Sequence, residues 1–467
     1  IDAVNDYHPN GTWTGRDKLE RVDVFLVNLD RATINHSTFT DGTWTQIDGS
    51  GVLHPNLVME ATSGDLVQAY VVINASPAIV TALTGVTDAA NFTGAFGSAY
   101  NQIASQVARY NGAVAPKTTG TETIMMTNDE DKYNLRVAAG ISKGVAELGT
   151  SNNILVNVER VVSRALLTVT PPESTVGAGW PVGAISGATD LGTIAYVTEV
   201  KYSVGQSNKN FYLMKKHNYE IPADLYTYIP TDADWATTNG DLDYTEVDEL
   251  TDFKPVYQLD YTTNSTDITE ALMNEATSKF VLPVNHLVDE KDLNVARAAY
   301  KKGNTTYFEI QAKFKPVTVI DIEGVEVTPT GTEEAYYWGE VDKKFYLDYS
   351  MATVNQSATT FTDGIMKYVL WLNPNELEST PAEPNPKVSP TVRNQIYHAH
   401  ISSFDRMGLP VNPLNPTDQI NSPDPINPIK PVDPLKTDQT YLSVKVNVLD
   451  WTIHSYSYNL TDPGTMY

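Results

Sequence analysis

Tyr441-Leu-Ser-Val-Lys-Val-Asn-Val-Leu-Asp-Trp-Thr-Ile-His-Ser-Tyr-Ser-Tyr-Asn-Leu460 is the stretch on which the reading of this chain turns. Leu442, Val444, Val446 and Val448 fall on one side of an extended strand and Ser443, Lys445 and Asn447 on the other, the two-residue period of a half-buried strand. After Val448 the apolar set changes parity to Leu449, Trp451 and Ile453, which predicts a bulge or bend near 448–450. Upstream lie Pro410, Pro413, Pro416, Pro423, Pro425, Pro428, Pro431 and Pro434, a density that no helix or central strand tolerates. Residues 409–440 therefore read as a semi-rigid spacer reaching roughly 3.1 Å per residue. A tethered half-apolar strand is unstable alone, and an open strand edge invites pairing. The segment 441–467 either folds back on its own domain or pairs with another molecule.

Composition sets the frame around that strand. The 467 residues exceed what one core usually supports, so two or three domains are expected. An apolar content of 41% is globular, and no run approaches the roughly 18–20 apolar residues of a membrane helix. The 26 Tyr, 28 Gly and 27 Pro, with few long helical patterns, favour an all-β protein. A net charge of −25 argues against nucleic acid and against docking by charge on anionic lipid. With no cysteine, neither a disulfide nor a thiolate metal site holds the fold.

Strand patterns recur at Arg21–Asn28, Asp65–Asn74, Thr121–Thr127, Asn153–Val169, Thr193–Ser203, Tyr307–Lys315, Phe345–Tyr349, Met366–Leu372 and Gln395–Ile401. Phe308, Ile310, Ala312 and Phe314 alternate with Tyr307, Glu309, Gln311 and Lys313, as in a half-exposed sheet strand. One helix is predicted from Phe96, Tyr100, Ile103, Val107 and Tyr110, ending at Asn111-Gly112. The Gly- and Pro-rich stretch Pro171–Gly192 is the expected junction. This gives two β-sandwiches in series, an N-terminal one over 1–172 and a C-terminal one over 173–408, followed by the spacer and the terminal strand.

Little in the sequence points to catalysis. Gly140-Ile-Ser-Lys-Gly144 matches the G-x-S-x-G elbow, but that motif needs a parallel strand before Ser142 and a long helix after it. His398 and His400 share one face of a strand and could chelate a metal, yet no third ligand is near, and an exposed polar face accounts for them as well. Asp241, Asp243 and Glu246, with Asp248, Glu249 and Asp252, offer carboxylates for calcium without the glycine turn or spacing of an EF-hand loop. A solvated acidic loop is the plainer reading. No cofactor motif is present, and the chain does not read as an enzyme.

A set of short segments carries a resemblance. It runs through Trp13-Thr-Gly-Arg-Asp-Lys-Leu-Glu20, Glu122-Thr-Ile-Met-Met-Thr127, Val158-Glu-Arg160 with Arg164-Ala165, and Phe280-Val-Leu-Pro283. It continues in Tyr300-Lys-Lys-Gly-Asn304 with Ala312-Lys-Phe314, Trp371-Leu-Asn-Pro374, Val392-Arg-Asn394 with Ile396-Tyr397-His398, and Trp451 with His454-Ser-Tyr456. In order and spacing these resemble the fimbrillins of Bacteroidales, which build type V pili, in particular the shaft subunit of the short (minor) fimbria of Porphyromonas.

The resemblance implies two tandem transthyretin-like sandwiches in a structural subunit of a cell-surface fimbria. It implies an outer-membrane lipoprotein precursor, exported through the periplasm, from which an arginine-specific protease removes an N-terminal segment with a core strand. The groove left in the N-terminal sandwich is filled by the C-terminal strand of another subunit. Ile1 fits the new terminus of such a cut, and the absent cysteine fits loss of a lipidated propeptide. The implied partners are copies of the same subunit, anchor and tip or accessory subunits, the processing protease, and host or bacterial surface ligands, with roles in adhesion, biofilm formation and virulence. The donor residues would be Leu442, Val444, Val446, Val448, Leu449, Trp451, Ile453, Tyr456 and Leu460.

Six of these apolar side chains, at roughly 1.5–3 kcal/mol each, give a gross gain on the order of 10 kcal/mol on burial. The phase break suggests that Tyr441–Val448 stays with its own subunit while Leu449–Leu460 enters the neighbour. An N-terminal donor is excluded because Ile1–Arg16 is polar and broken by Pro9 and Gly11. A sortase signal is absent, since neither Leu282-Pro-Val-Asn285 nor Leu409-Pro-Val-Asn-Pro413 supplies one. The alternative is a secreted glycan-binding β-sandwich protein, whose tyrosines would stack on sugars.

Overall fold

A computed structural model of the chain describes residues 17–46, 52–55, 58–102, 104–111, 121–130, 132–148, 151–173, 179–186, 189–205, 207–208, 210–214, 242–243, 253–260, 278–282, 306–372, 393–411 and 452–460. Among them strands dominate and helices are few and short, as expected of an all-β protein. The N-terminal part contributes β1 (Arg21–Asn28), β2 (Thr33–Thr40), β3 (Leu66–Ile73), β4 (Thr121–Ile124), β5 (Met126–Asn128), β6 (Tyr133–Arg136) and β7 (Val158–Arg160). In β1 the alternation of residues sorts the faces: Phe25 and Val27 join Tyr70 and Val72 of β3 in one core, while Val22 joins Val71 and Ile73 on the opposite side. β1 pairs antiparallel with β2 and β3, β5 and β6 share the far edge of β3, and β7 adds to β5.

Two helices cover the inner face of this sheet. Pro77–Thr84 (α1) starts on the Ser76 side chain with Pro in its first turn, and Ala89–Phe96 (α2) starts on Asp88. Their Ile79, Leu83, Phe92 and Phe96 are fully buried against Phe25 and Tyr70. The predicted helix from Phe96 to Tyr110 does not form as one element. Phe96 ends α2, Ala99–Asn101 is a strand paired with Asn210–Tyr212, Ala104–Val107 is a single turn, and Ala108–Asn111 pairs with β4. The helical spacing of apolar residues arose because successive short elements bury against one core, and the distant Asn210–Tyr212 strand overrides local pattern.

The second sheet is built from β8 (Ser163–Val169), β9 (Trp180–Ser186), β10 (Thr189–Gly205), β11 (Lys279–Val281), β12 (Tyr307–Pro316), β13 (Ile365–Trp371), β14 (Gln395–Phe404) and β15 (Thr452–Leu460). β9 and β10, β10 and β12, and β12 and β13 are antiparallel, whereas β8, β14 and β15 run parallel. The second sheet therefore takes up the chain from Ser163, and the Pro171–Gly192 stretch carries β9 and the start of β10. Phe308, Ile310, Ala312 and Phe314 enter the core as expected, but the other face of β12 is not half-exposed: Tyr307, Glu309 and Gln311 are buried too. A small five-stranded sheet over 319–362 is inserted between β12 and β13. Phe314 pins it to the main core, with ring centroids 5.7, 5.6 and 5.3 Å from those of Tyr336, Phe345 and Phe361.

The parallel pair β8–β14 is a wall between two cores. Leu166 and Ile396 face the helices and first sheet, while Ala165, Leu167, Val169, Tyr397, Ala399 and Ile401 face the second core. Burial on both faces is the ordinary condition of parallel strands.

Candidate assembly interface

β15 extends this wall. Its register runs from Thr452 opposite Gln395, through Ile453 opposite Ile396 and Tyr456 opposite Ala399, to Leu460 opposite Phe404, with one shift between Ile401 and Ser403. In the isolated chain the terminal strand thus lies on its own subunit. Of the segment Leu449–Leu460 expected in a neighbour, the 452–460 part lies on β14 in the single chain. An available β14 edge on the same chain meets the strand at the high effective concentration of an intramolecular partner. Leu442, Val444, Val446, Val448, Leu449 and Trp451 fall outside the described residues, as do Ile1 and the expected bend at 448–450.

Parallel pairing requires the chain to return from the Phe404 end of β14 to its Gln395 end. On the way, Leu409 exchanges two backbone hydrogen bonds with Lys367 of β13, at 2.7 and 2.9 Å, and Val411 is buried. The return path is a strand length, about 30 Å at roughly 3.3 Å per residue. The connector 412–451 could span about 120 Å at roughly 3.1 Å per residue. It is several times longer than this seat needs.

The outer face of the first sheet carries a second apolar cluster: Val22, Phe39, Val71, Ile73 and Met126, with partly buried Leu19, Val24, Trp44, Leu53, Val156 and Val158 around it. Its rim is the short edge strand β7. Residues 153–157, leading into β7, belong to no strand, and Leu155 is 62% exposed. An edge of this kind beside apolar surface is where an added strand would be stabilised by both ladder bonds and side-chain burial.

Arginine side chains, each also paired with a carboxylate, tie the N-terminal part to the parallel wall. Arg164 of β8 meets Glu122 of β4 with both side chains fully buried, and its guanidinium lies 5.1 Å from the Phe280 ring centroid. Arg393, just before β14, approaches Glu159 of β7 at 2.7 Å and donates to Thr127 Oγ1 at 2.6 Å and Leu213 O at 3.2 Å. Arg160 of β7 pairs with Asp17 and donates to Asn394 Oδ1 at 3.3 Å. These residues come from segments singled out separately in the sequence, and the fold brings them to one place.

Residues 359–457 match the family model described as major fimbrial subunit protein type IV, fimbrillin, C-terminal. That span includes β13, β14, the spacer and much of the terminal strand. Across 481 aligned residues the chain is 28% identical to the minor fimbrium subunit Mfa1 of Porphyromonas gingivalis, covering 97% of this chain and 89% of that protein. The chain is thus similar to the fimbrillins, through its C-terminal part and through a relative aligned over nearly its whole length. Among solved structures, a provisionally named cell adhesion protein from Bacteroides eggerthii is similar at a TM-score of 0.41 and 10% identity, covering 97% of this chain and 94% of that one. These similarities support a fimbrial structural subunit, of a family that is not an enzyme class, and such a subunit implies a cell-surface fimbria. No described helix is long and apolar enough to cross a membrane.

The remaining chemical candidates resolve into structure. His398 and His400 lie on a buried side of β14, not on an exposed face. The Thr168 hydroxyl sits 2.7 Å from His398 Nε2 and 2.8 Å from His400 Nδ1, and the Thr170 hydroxyl 2.8 Å from His400 Nε2. Hydroxyls therefore take the positions a metal would need, and the described residues hold no cluster of three or more metal-ligating side chains. Burial pushes His398 well below the usual imidazole range and His400 down to about 4. Ser142 is the N-cap of the short helix Lys143–Glu147, accepting from Val145 N at 3.4 Å, with no parallel strand before it. Of the acidic segment only Asp243 is described, in the strand Leu242–Asp243 beside Ser207–Asn208, and Asp241 and Glu246 lie outside the described residues.

Proposed function

We infer that this chain is a fimbrial shaft subunit that polymerises by passing its C-terminal strand to the next subunit. The observation that carries this reading is β15, a strand bonded along one edge to its own wall and held by a connector several times longer than that seat requires. The seat on β14 stores the strand in the free subunit. In the polymer the tether lets the terminal segment, with Leu442 to Leu460 as its apolar residues, reach a neighbour's first sheet. The acceptor is the edge at 153–160, over the apolar cluster of Val22, Val71, Ile73 and Met126. Removal of an N-terminal strand by an arginine-specific protease, leaving Ile1 at the start, would open that edge. Anchor and tip subunits and adhesion ligands belong to the same reading.

A reversible lock tests it. The chain has no cysteine, so Ser403→Cys with Asn459→Cys places a single thiol pair across the cis register. Oxidised protein should stay monomeric in negative-stain images, and reduced protein should form filaments. Filaments of equal length under both conditions would rule out release of the strand as a step in assembly.

A further inference from the structure

We propose that Lys367 and Gln311 form an intramolecular amide cross-link between β13 and β12, with Glu309 as the acid–base group. Gln311 is the direct cross-strand partner of Lys367, so the two side chains leave the sheet on the same face a few ångströms apart. Glu309 is two residues away on that face. Its fully buried carboxylate lies 3.1 Å from Lys367 Nζ, an ion pair. Gln311 is more than nine-tenths buried, and its amide nitrogen has no hydrogen-bond partner.

A buried ammonium and a buried unpartnered amide N–H both cost free energy, and one reaction removes both. Glu309 accepts a proton from the Lys367 ammonium, and the freed Nζ attacks Gln311 Cδ. The C–Nε2 bond of the tetrahedral adduct breaks as Glu309 returns the proton to the leaving nitrogen, and the second Nζ proton passes to the departing ammonia. Lysine ammonium and glutamine amide become a secondary amide and an ammonium ion, with no redox change and no co-reactant. Fixed proximity in a water-poor site supplies the large effective molarity such a step needs. The new amide N–H can then donate to Glu309.

The position gives the bond a purpose. Everything between Gln311 and Lys367 is the tail of β12, the inserted sheet over 319–362 and the head of β13. A tie at the base of that insertion lets tension along a fimbria pass from strand to strand without pulling through the insertion.

Intact-mass measurement of the full folded chain tests the proposal. It should weigh less than its sequence by one ammonia, and trypsin should release a branched peptide joining the segments around Gln311 and Lys367. Glu309→Ala and Lys367→Arg chains should each recover the full sequence mass. Folded wild-type protein at its full sequence mass after prolonged incubation would overturn the proposal. So would loss of one water, which would make Glu309 the acyl group.

Discussion

Thr168 and His398 face each other across the parallel strands β8 and β14, with hydroxyl oxygen and Nε2 2.7 Å apart. The wall between the two cores is thus tied by a side-chain bond as well as by its ladder, and the imidazole in that bond is held neutral by burial.

Acid should loosen this wall first. His398 and His400 have folded pKa values below the imidazole norm, His400 at about 4, so the unfolded chain binds protons more readily than the folded one. Their contribution is fully present above pH about 6.5 and is lost as pH falls toward the folded values, at roughly 1.4 kcal/mol per pH unit for each proton taken up. Urea unfolding at pH 7, 6 and 5 should show this decline. A His400→Gln chain should show a shallower one, and parallel curves for the two would remove the histidine from the explanation.

Glu122→Ala leaves the Arg164 guanidinium buried without its carboxylate. The expected cost is about 3–5 kcal/mol. Replacing both, Glu122→Leu with Arg164→Met, should recover most of that loss in the same denaturation assay, because apolar groups of similar volume need no counter-charge. If the double variant is as unstable as the single one, the pair is holding more than itself in place.

Deleting 441–467 should leave a folded chain that no longer polymerises and that melts at a lower temperature, because the β14 edge is bared. Adding a peptide of residues 441–460 should raise the melting temperature by mass action, by an amount equivalent to about 2.7 kcal/mol at a hundredfold excess over Kd. A truncated chain that still builds filaments would place the donor elsewhere.

Phe314→Ala should cost about 3–5 kcal/mol. Its ring is the contact between the second core and Tyr336, Phe345 and Phe361 of the inserted sheet. Hydrogen exchange should therefore speed up over 319–362 more than in β8 or β14. Uniform acceleration would mean that the insertion is held by other contacts.

Where the sequence was legible, an alternating pattern coincided with burial on alternate sides. Val22 to Val27 and Phe308 to Phe314 sorted themselves into faces without help. The helix starts at Ser76-Pro77 and Asp88 were equally readable but were masked by the longer apolar rhythm from Phe96 to Tyr110, which four different elements share. His398 and His400 read as an exposed pair because strand period gives the side of a sheet and not what covers it. The arginines were visible only as parts of separate short segments. That Glu122, Glu159, Arg160, Arg164 and Arg393 meet depends on pairing β8 with β14 across more than two hundred residues, which no local pattern contains.

The shared wall of β8 and β14 also decides how such a subunit bends. A sheet buried on both faces cannot hinge without opening two cores at once, so neither half can swing independently of the other. Under the proposed strand exchange, bending of a fimbria would fall at the junctions between subunits, and each subunit would act as one stiff link.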